Sequence, residues 1–494
     1  MRLRHRNLGL RLRDPLGEAV SSAGREEYDL VIIGGGSAGL PAASFARRLG
    51  GSVLIIERDR LGGDCTWTGC VPSKALLSAA RVAQVMRTAA DFGLPAATPK
   101  VDLGAVMAKV RAAVERVYSN ETPDLLEKEG IDVEFGPARF LDAGTVQVGE
   151  GRRVRGKRFL IATGAVPAAP PIPGLDSWPY LTYESVYSQT ELPARLAVLG
   201  AGPIGIEMAQ AFQRLGSEVT VFEAADRILP NADPEASDML LRSLEGEGMR
   251  VLTKTKVLEV LRRGREVHLK VDADSDGIGA DQLLVATGRR PNIDGLELSR
   301  AGVEAGPKGI HVDSQLRTTQ LQIFAAGDVT GSFQFTHYAG WQGFQAVRNL
   351  FLPLKASGSR ASVPWVVFTD PEVAQAGLSQ AELTAAGEKF EVHRWDHAKN
   401  DRAQAAGERE SLLKILCAPG AGKVLGVTIV AGWGGELVNE IAVAIENGLK
   451  LTDLASSIHA YPTYGMAIQQ AAAEASVDQF ADSTVGKFLK SFVR

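Results

Sequence analysis

Two copies of one strand, glycine turn and helix pattern predict an α/β protein with two Rossmann-like dinucleotide-binding domains, and a cysteine pair behind the first copy predicts their chemistry. In the first copy the apolar run Tyr28-Asp29-Leu30-Val31-Ile32-Ile33 enters Gly34-Gly35-Gly36-Ser37-Ala38-Gly39. A helical stretch runs from Leu40 to Leu49, and a second strand, Val53 to Ile56, ends on Glu57. Gly34 permits the tight turn, Gly36 lets a pyrophosphate approach the backbone, Gly39 brings helix and strand together, and Glu57 accepts from a ribose hydroxyl. In the second copy Leu196 to Leu199 leads into Gly200-Ala201-Gly202-Pro203-Ile204-Gly205, a helix to Leu215, a strand Val219 to Phe222, and Glu223. Glu57 and Glu223 each stand 23 residues after the first glycine of their fingerprint. Matching strands close the halves: Phe159 to Gly164 contains Ala162-Thr163-Gly164, and Leu283 to Gly288 contains Ala286-Thr287-Gly288. Two dinucleotides are therefore expected, a flavin at the first site and a nicotinamide at the second.

The flavin assignment rests on Gly62-Gly63-Asp64-Cys65-Thr66-Trp67-Thr68-Gly69-Cys70-Val71-Pro72-Ser73-Lys74, which holds two of the three cysteines. Thiols that alternate between dithiol and disulfide need Cα atoms within roughly 4.4–6.8 Å. A four-residue gap wound around a helix start supplies that approach, and a helix N-terminus favours thiolate. A cysteine-poor chain of this size needs no structural staple.

Composition excludes other classes. With 54 Lys and Arg against 58 Asp and Glu, the net charge of −4 leaves no footprint for nucleic acid. No apolar run is long enough to span a bilayer, and the arginine-rich residues 1–27 lack the apolar core of a secretory signal, so a cytoplasmic protein with a flexible basic tail is expected. No resident metal site is expected.

These motifs, with Gly288-Arg289-Arg290-Pro291-Asn292 and Phe324-Ala325-Ala326-Gly327-Asp328, resemble the flavoprotein pyridine nucleotide-disulfide oxidoreductases, and the resemblance spans about residues 28 to 475. It implies a homodimer with an FAD-binding domain over 28–174 and 293–357, an NAD(P)-binding domain over 175–292 and an α+β dimerisation domain over 358–475. A basic amphipathic tail over 476–494 follows. It implies that Asp328, after Gly327, lies at the FAD ribityl or pyrophosphate region, that Cys70 faces the flavin as a thiolate while Cys65 exchanges with substrate, and that Lys74 pairs with Glu207. Ser37, Ala38, Gly63, Thr163 and Gly164 are further expected FAD contacts, Ile204 and Gly288 further nicotinamide contacts. His337 falls where the family starts a helix whose amides point at the flavin; there the backbone matters more than the imidazole. Cys417, alone in Leu413 to Cys417, reads as a small buried residue in a strand.

The informative departure is Ile458-His459-Ala460-Tyr461-Pro462-Thr463-Tyr464-Gly465-Met466. Many family members carry His-Pro-Thr and a Glu three residues later, a base for the partner's exchanging thiol. Tyr461 and Met466 stand at those positions, and a phenol is a poor base near neutrality. A small disulfide or thiol acceptor is the first expectation, with a metal ion (Hg(II) or Cu(II)) or a quinone as the alternative. The chain is similar in this to mercuric reductase-like members, yet has no cysteine after Cys417 and no N-terminal Cys-x-x-Cys. Trp67, between the cysteines, either narrows access or packs under the loop. Glu223 followed by Ala224-Ala225 favours NADH over NADPH, with Arg227 the one nearby group able to meet a 2′-phosphate.

Overall fold

The apolar runs between fingerprints are long enough only for strands covered on both faces, and this is how they are used. The computed structural model describes residues 25–272, 276–396, 399–408 and 411–490; most of the expected basic N-terminal tail and the last residues of the C-terminal tail lie outside them. A five-stranded parallel sheet takes the order Ile323–Ala325, Phe159–Ile161, Leu30–Ile33, Val53–Glu57, Ile131–Phe135. The strand at 323–325 arrives from beyond the second fingerprint and pairs in register with 159–161, so one sheet is assembled from two distant stretches of chain. A four-stranded parallel sheet repeats the theme in the order Arg250–Leu252, Glu218–Phe222, Arg195–Leu199, Gln282–Val285.

The C-terminal part is antiparallel: Trp365–Val367, Glu372–Gly377, Val424–Ala431, Leu412–Cys417 and Glu391–Trp395, in that spatial order. Helices Gly434–Glu446 and Met466–Asp482 accompany it, and their buried Leu437, Ile441, Ile468 and Ala472 share a core with Ile415, Cys417 and Ile429. The fold is thus the α/β class expected, with two Rossmann-like domains and a C-terminal α+β domain. No helix among the described residues is long and apolar enough to cross a membrane.

Three strands differ from the sequence pattern. The run 28–33 breaks at Asp29, because Tyr28 pairs with Gly156 in another sheet while Leu30–Ile33 joins the parallel one. The Asp29 carboxylate accepts from Ser52 N (3.0 Å) and Lys157 Nζ (2.8 Å), which fixes the break. The Ala-Thr-Gly segments are loops, the strands ending at Ile161 and Val285.

Arg214, on helix Pro203–Leu215, ties this helix to the C-terminal domain. Its guanidinium, 6% exposed, donates to Glu247 Oε2 (2.8 Å) and to Asp370 Oδ2 (2.9 Å). Arg214→Met is expected to lower stability in denaturant titration by about 3 kcal/mol, the low end for breaking a buried pair because Asp370 is part-exposed. A loss below about 1 kcal/mol would class it with surface ion pairs.

Candidate active site

One open cleft of about 3480 Å³ receives both fingerprints, the cysteine run and the start of the helix at 336. Gly34 and Gly200 take left-handed φ values of 106° and 103°, which a side chain resists. A Cβ on Gly39 would overlap the Gly34 carbonyl, and one on Gly205 the Gly200 carbonyl, so close helix approach recurs in both halves. Each terminal acid is held alike: Glu57 accepts from Gly35 N and Asp59 N, Glu223 from Ala201 N and Ala225 N, all at 2.8 Å. Ser37, Ala38, Gly63, Thr163, Gly164, Gly327, Asp328 and His337 line the cleft with the first fingerprint, and Gly202, Ile204, Glu223 and Gly288 line it with the second.

Between them stand the cysteines, both free thiols. Cys65 is carried by the short helix Gly63–Trp67, and Cys70 is the first residue of the eighteen-residue helix Cys70–Arg87. A second N-terminus converges there: Thr336, which opens helix Thr336–Phe351, places its Oγ1 3.1 Å from Cys70 Sγ. The thiol of Cys65, hydrogen-bonded to Cys70, pulls the Cys70 pKa down to about 6, with Thr336 and the Lys74 charge helping against burial. The same bond, with burial, pushes the Cys65 thiol far up. The reduced pair therefore carries one charge, held on Cys70, with the proton on Cys65.

Lys74 lies one turn along the Cys70 helix and meets Glu207 at 3.0 Å. Glu207, almost fully buried, also accepts from Phe368 N at 2.9 Å, and the Lys74 ammonium sits 4.3 Å from the Phe368 ring centre. Lys74→Met removes the cation and leaves the Glu207 charge facing Cys70, two changes of the same sign. The Cys70 inflection, read from thiolate ultraviolet absorbance of the reduced protein, should rise by about one pH unit or more; an unmoved inflection would show that Lys74 does not act on the thiolate.

Further contacts at the site join residues distant in the sequence. Arg289 bridges Asp328 Oδ2 (2.6 Å) and Asp64 Oδ2, and Tyr183 donates to the same Asp64 oxygen at 3.2 Å. Asp64 thereby links the cysteine loop to the short strand Arg289–Pro291, which pairs with Ala165–Pro167. Thr163 Oγ1 donates to the Asn292 carbonyl at 2.7 Å and Asn292 Nδ2 returns a bond to the Thr163 carbonyl at 3.2 Å, which explains why the chain leaves the sheet there. Trp67 both lines the cleft and packs: its Nε1 donates to the Leu61 carbonyl at 2.7 Å and its ring lies 4.9 Å from that of Tyr118. The His337 imidazole bonds the Pro364 carbonyl at 2.7 Å.

The C-terminal segment lies outside the cleft lining of its own chain. Tyr461 is 68% exposed, and its hydroxyl donates to Asp401 Oδ2 at 3.0 Å, which raises the phenol's pKa further from the range of a useful base. His459 has both ring nitrogens engaged, Nε2 with Glu440 Oε1 at 2.8 Å and Nδ1 with the Ser457 carbonyl at 3.0 Å. Burial alone would lower its pKa; the bonds to Glu440 and Ser457 outweigh it and raise it.

Residues 28–343 match the pyridine nucleotide-disulphide oxidoreductases and 363–472 the dimerisation domain of the same group. The chain belongs to the pyridine nucleotide-disulphide oxidoreductase family. A mercuric reductase of Bacillus cereus is 35% identical over 448 residues, 90% of this chain and 71% of that protein. A mitochondrial dihydrolipoyl dehydrogenase of Pisum sativum is 35% identical over 463 residues, 91% of this chain and 92% of that one. Among solved structures, the HOCl-induced flavoprotein disulfide reductase RclA from Escherichia coli superposes with a TM-score of 0.82 at 27% identity, covering 90% of this chain and 99% of its own. A Cu(II) complex of RclA superposes at 0.81, with 27% identity over 89% of this chain and 98% of its own.

The family uses FAD and NAD(P)H, and the cleft fits two such ligands. The helices starting at Gly39, Cys70, Pro203 and Thr336 have no side-chain cap, so their first amides are open to an anion. A Cβ at Gly164, Gly202 or Gly288 would meet no atom within 4 Å, so the backbone there faces free space. The chain is an oxidoreductase of this family.

Proposed function

We propose that this protein is a homodimeric, cytoplasmic NADH-dependent flavoprotein that delivers an electron pair to the Cys65–Cys70 disulfide and on to a thiophilic metal ion. Bound FAD would supply a two-electron relay between the reduced nicotinamide and the disulfide. Gly34, Gly36, Ser37, Ala38, Gly39, Glu57, Gly63, Thr163, Gly164, Gly327 and Asp328 hold FAD, with the amides of the helix containing His337. Gly200, Gly202, Ile204, Gly205, Glu223 and Gly288 hold the nicotinamide nucleotide.

The protein's own groups manage charge and protons. Thr336 and Lys74 hold the negative charge on Cys70, Glu207 keeps Lys74 in place, and Cys65 is left to meet the acceptor. The observation that carries the choice of acceptor is the Tyr461 phenol, bonded to Asp401 where disulfide-reducing relatives are expected to have a His base. A metal ion that binds both sulfurs displaces the Cys65 proton to solvent, so no proton has to be delivered to a leaving thiol. Hg(II) takes both electrons as the Cys65–Cys70 bond re-forms; Cu(II) takes one, so two ions are reduced to Cu(I) per disulfide. The mercuric reductase likeness and the Cu(II) complex of RclA support this reading. A small disulfide acceptor is the second reading, favoured by the likeness to a dihydrolipoyl dehydrogenase.

The test is NADH oxidation by purified protein at pH 7 with Cu(II), Hg(II), a quinone, lipoamide and glutathione disulfide compared side by side. Metal-dependent turnover well above that with either disulfide is expected; the reverse order would establish the second reading.

Glu223 is placed to accept from an adenosine ribose and repel a 2′-phosphate. Arg227, the nearest arginine after Glu223 in the sequence, is paired with Asp226 at 3.1 Å, while Lys256 lines the cleft with Glu223. The ratio of kcat/KM values is expected to favour NADH by about tenfold or more, equivalent to roughly 1.4 kcal/mol. A ratio favouring NADPH would overturn the assignment.

A further inference from the structure

The antiparallel sheet carries a second cluster of chemistry-bearing side chains that the redox site does not use. Glu391 and His393 stand two residues apart on the edge strand Glu391–Trp395, hence on one face. Cys417, at the end of the adjacent strand Leu412–Cys417, is the cross-strand partner of Glu391. One ligand atom from each residue lies within 4.8 Å of the others. His393 Nε2 is 3.6 Å from Glu391 Oε2, and Cys417 Sγ is 4.0 Å from the same oxygen.

Two features mark this as more than a buried cysteine near an acid. His393 Nε2 is buried and, among the described residues, has no partner within hydrogen-bond distance, Glu391 Oε2 at 3.6 Å lying just beyond it, although buried ring nitrogens are ordinarily satisfied. The Glu391 carboxylate is held from behind by the amides of Gly420 (2.9 Å) and Ala421 (3.2 Å), the outer support that orients a metal ligand. A four-coordinate ion with bonds of about 2.0–2.3 Å sets its ligands roughly 3.3–3.7 Å apart, so the two spacings to Glu391 need contract by only a few tenths of an ångström and the His393–Cys417 separation, within 4.8 Å, by up to about 1 Å. The part-exposed Glu391 and His393 side chains leave a way in.

We propose that Glu391, His393 and Cys417 bind one borderline-soft divalent cation, zinc being the reference ion, with water as fourth ligand. The sulfur and imidazole donors argue against calcium or magnesium. On binding, the Cys417 thiol loses its proton to solvent and forms the metal–sulfur bond, His393 donates its Nε2 lone pair and Glu391 one carboxylate oxygen; the ion keeps its oxidation state. One thiolate and one carboxylate balance the charge of the cation. The ion would clamp the edge strand to its neighbour, independently of the acceptor used at the cleft. The sequence concealed this site because strand pairing alone brings Cys417 to Glu391, and Cys417 by itself reads as core.

The test uses full-length, FAD-loaded protein carrying Cys65→Ser and Cys70→Ser, so that the cleft thiols cannot bind the probe. The protein is stripped with a chelator and titrated with zinc chloride against a chromophoric zinc indicator. One zinc per chain is expected, with affinity reduced at least about 100-fold by His393→Gln and by Cys417→Ser at unchanged flavin content and dimer size. Should Cys417→Ser misfold, His393→Gln at its part-exposed position decides, and Co(II) added to the parent protein reports a thiolate ligand directly through its visible absorption beyond the flavin bands. Absence of binding, binding unchanged in His393→Gln, or a Co(II) spectrum with oxygen and nitrogen ligands alone would overturn the proposal.

Discussion

Cys65→Ser is expected to abolish NADH-driven reduction of every acceptor served by the cysteine pair, a loss of at least about 10³-fold in turnover, with FAD content unchanged. The size follows from removing the covalent route itself, against enzymatic accelerations of 10⁶-fold or more. Cys70→Ser should cost as much, because Cys70 is the group the site is built to ionise: two helix starts and Thr336 converge on it, with Lys74 behind. Its depressed pKa of about 6 sets the pH dependence. Above that pH the reduced pair holds its charge on Cys70; as pH falls through it the thiolate is protonated, so turnover should decline on the acid side. Residual activity above about a tenth of wild type in either serine variant, measured with the preferred acceptor, would mean that electrons leave by another path.

The second large effect is a gain. Tyr461→His with Met466→Glu should raise reduction of lipoamide or glutathione disulfide at pH 7 by about 10²–10⁴-fold, the usual value of a general base. In the wild-type chain the Tyr461 hydroxyl is exposed and bonded to Asp401, and neighbouring His459 is tied at both nitrogens, so neither is free to take a thiol proton. High wild-type lipoamide turnover at neutral pH, lost in Tyr461→Phe, would make the tyrosine itself the acid–base group and refute this reading.

Much of the architecture was legible because its signals are local. The glycine fingerprints must take left-handed φ at Gly34 and Gly200, and helix must pack on strand at Gly39 and Gly205, so sequence and fold are coupled residue by residue. The strand at 28–33 was misjudged where Asp29 parts two sheets, a choice made by distant partners Ser52 and Lys157. The Ala-Thr-Gly runs look like strand continuations, yet end in loops, Thr163 captured by Asn292 and Thr287 by the Ala168 carbonyl. At the cleft, the cysteines, Lys74 and Glu207 were expected and lie together. The roles of Thr336, Arg289 and Asp64 were not, since each acts across long sequence separation and the local run around it does not name its partner. Glu440 and Asp401 were missed for the same reason, and they are what hold His459 and Tyr461 in place.

NADH is expected to reduce the Cys65–Cys70 disulfide. The most direct measurement is mass mapping of cysteine alkylation in air-oxidised, FAD-loaded protein, unfolded in alkylating reagent with and without a prior equivalent of NADH under anaerobic conditions. Without NADH only Cys417 should be labelled; with NADH, Cys65 and Cys70 should both become labelled, in equal amounts and in proportion to the NADH consumed. NADH consumed with no new label on either cysteine would contradict the account.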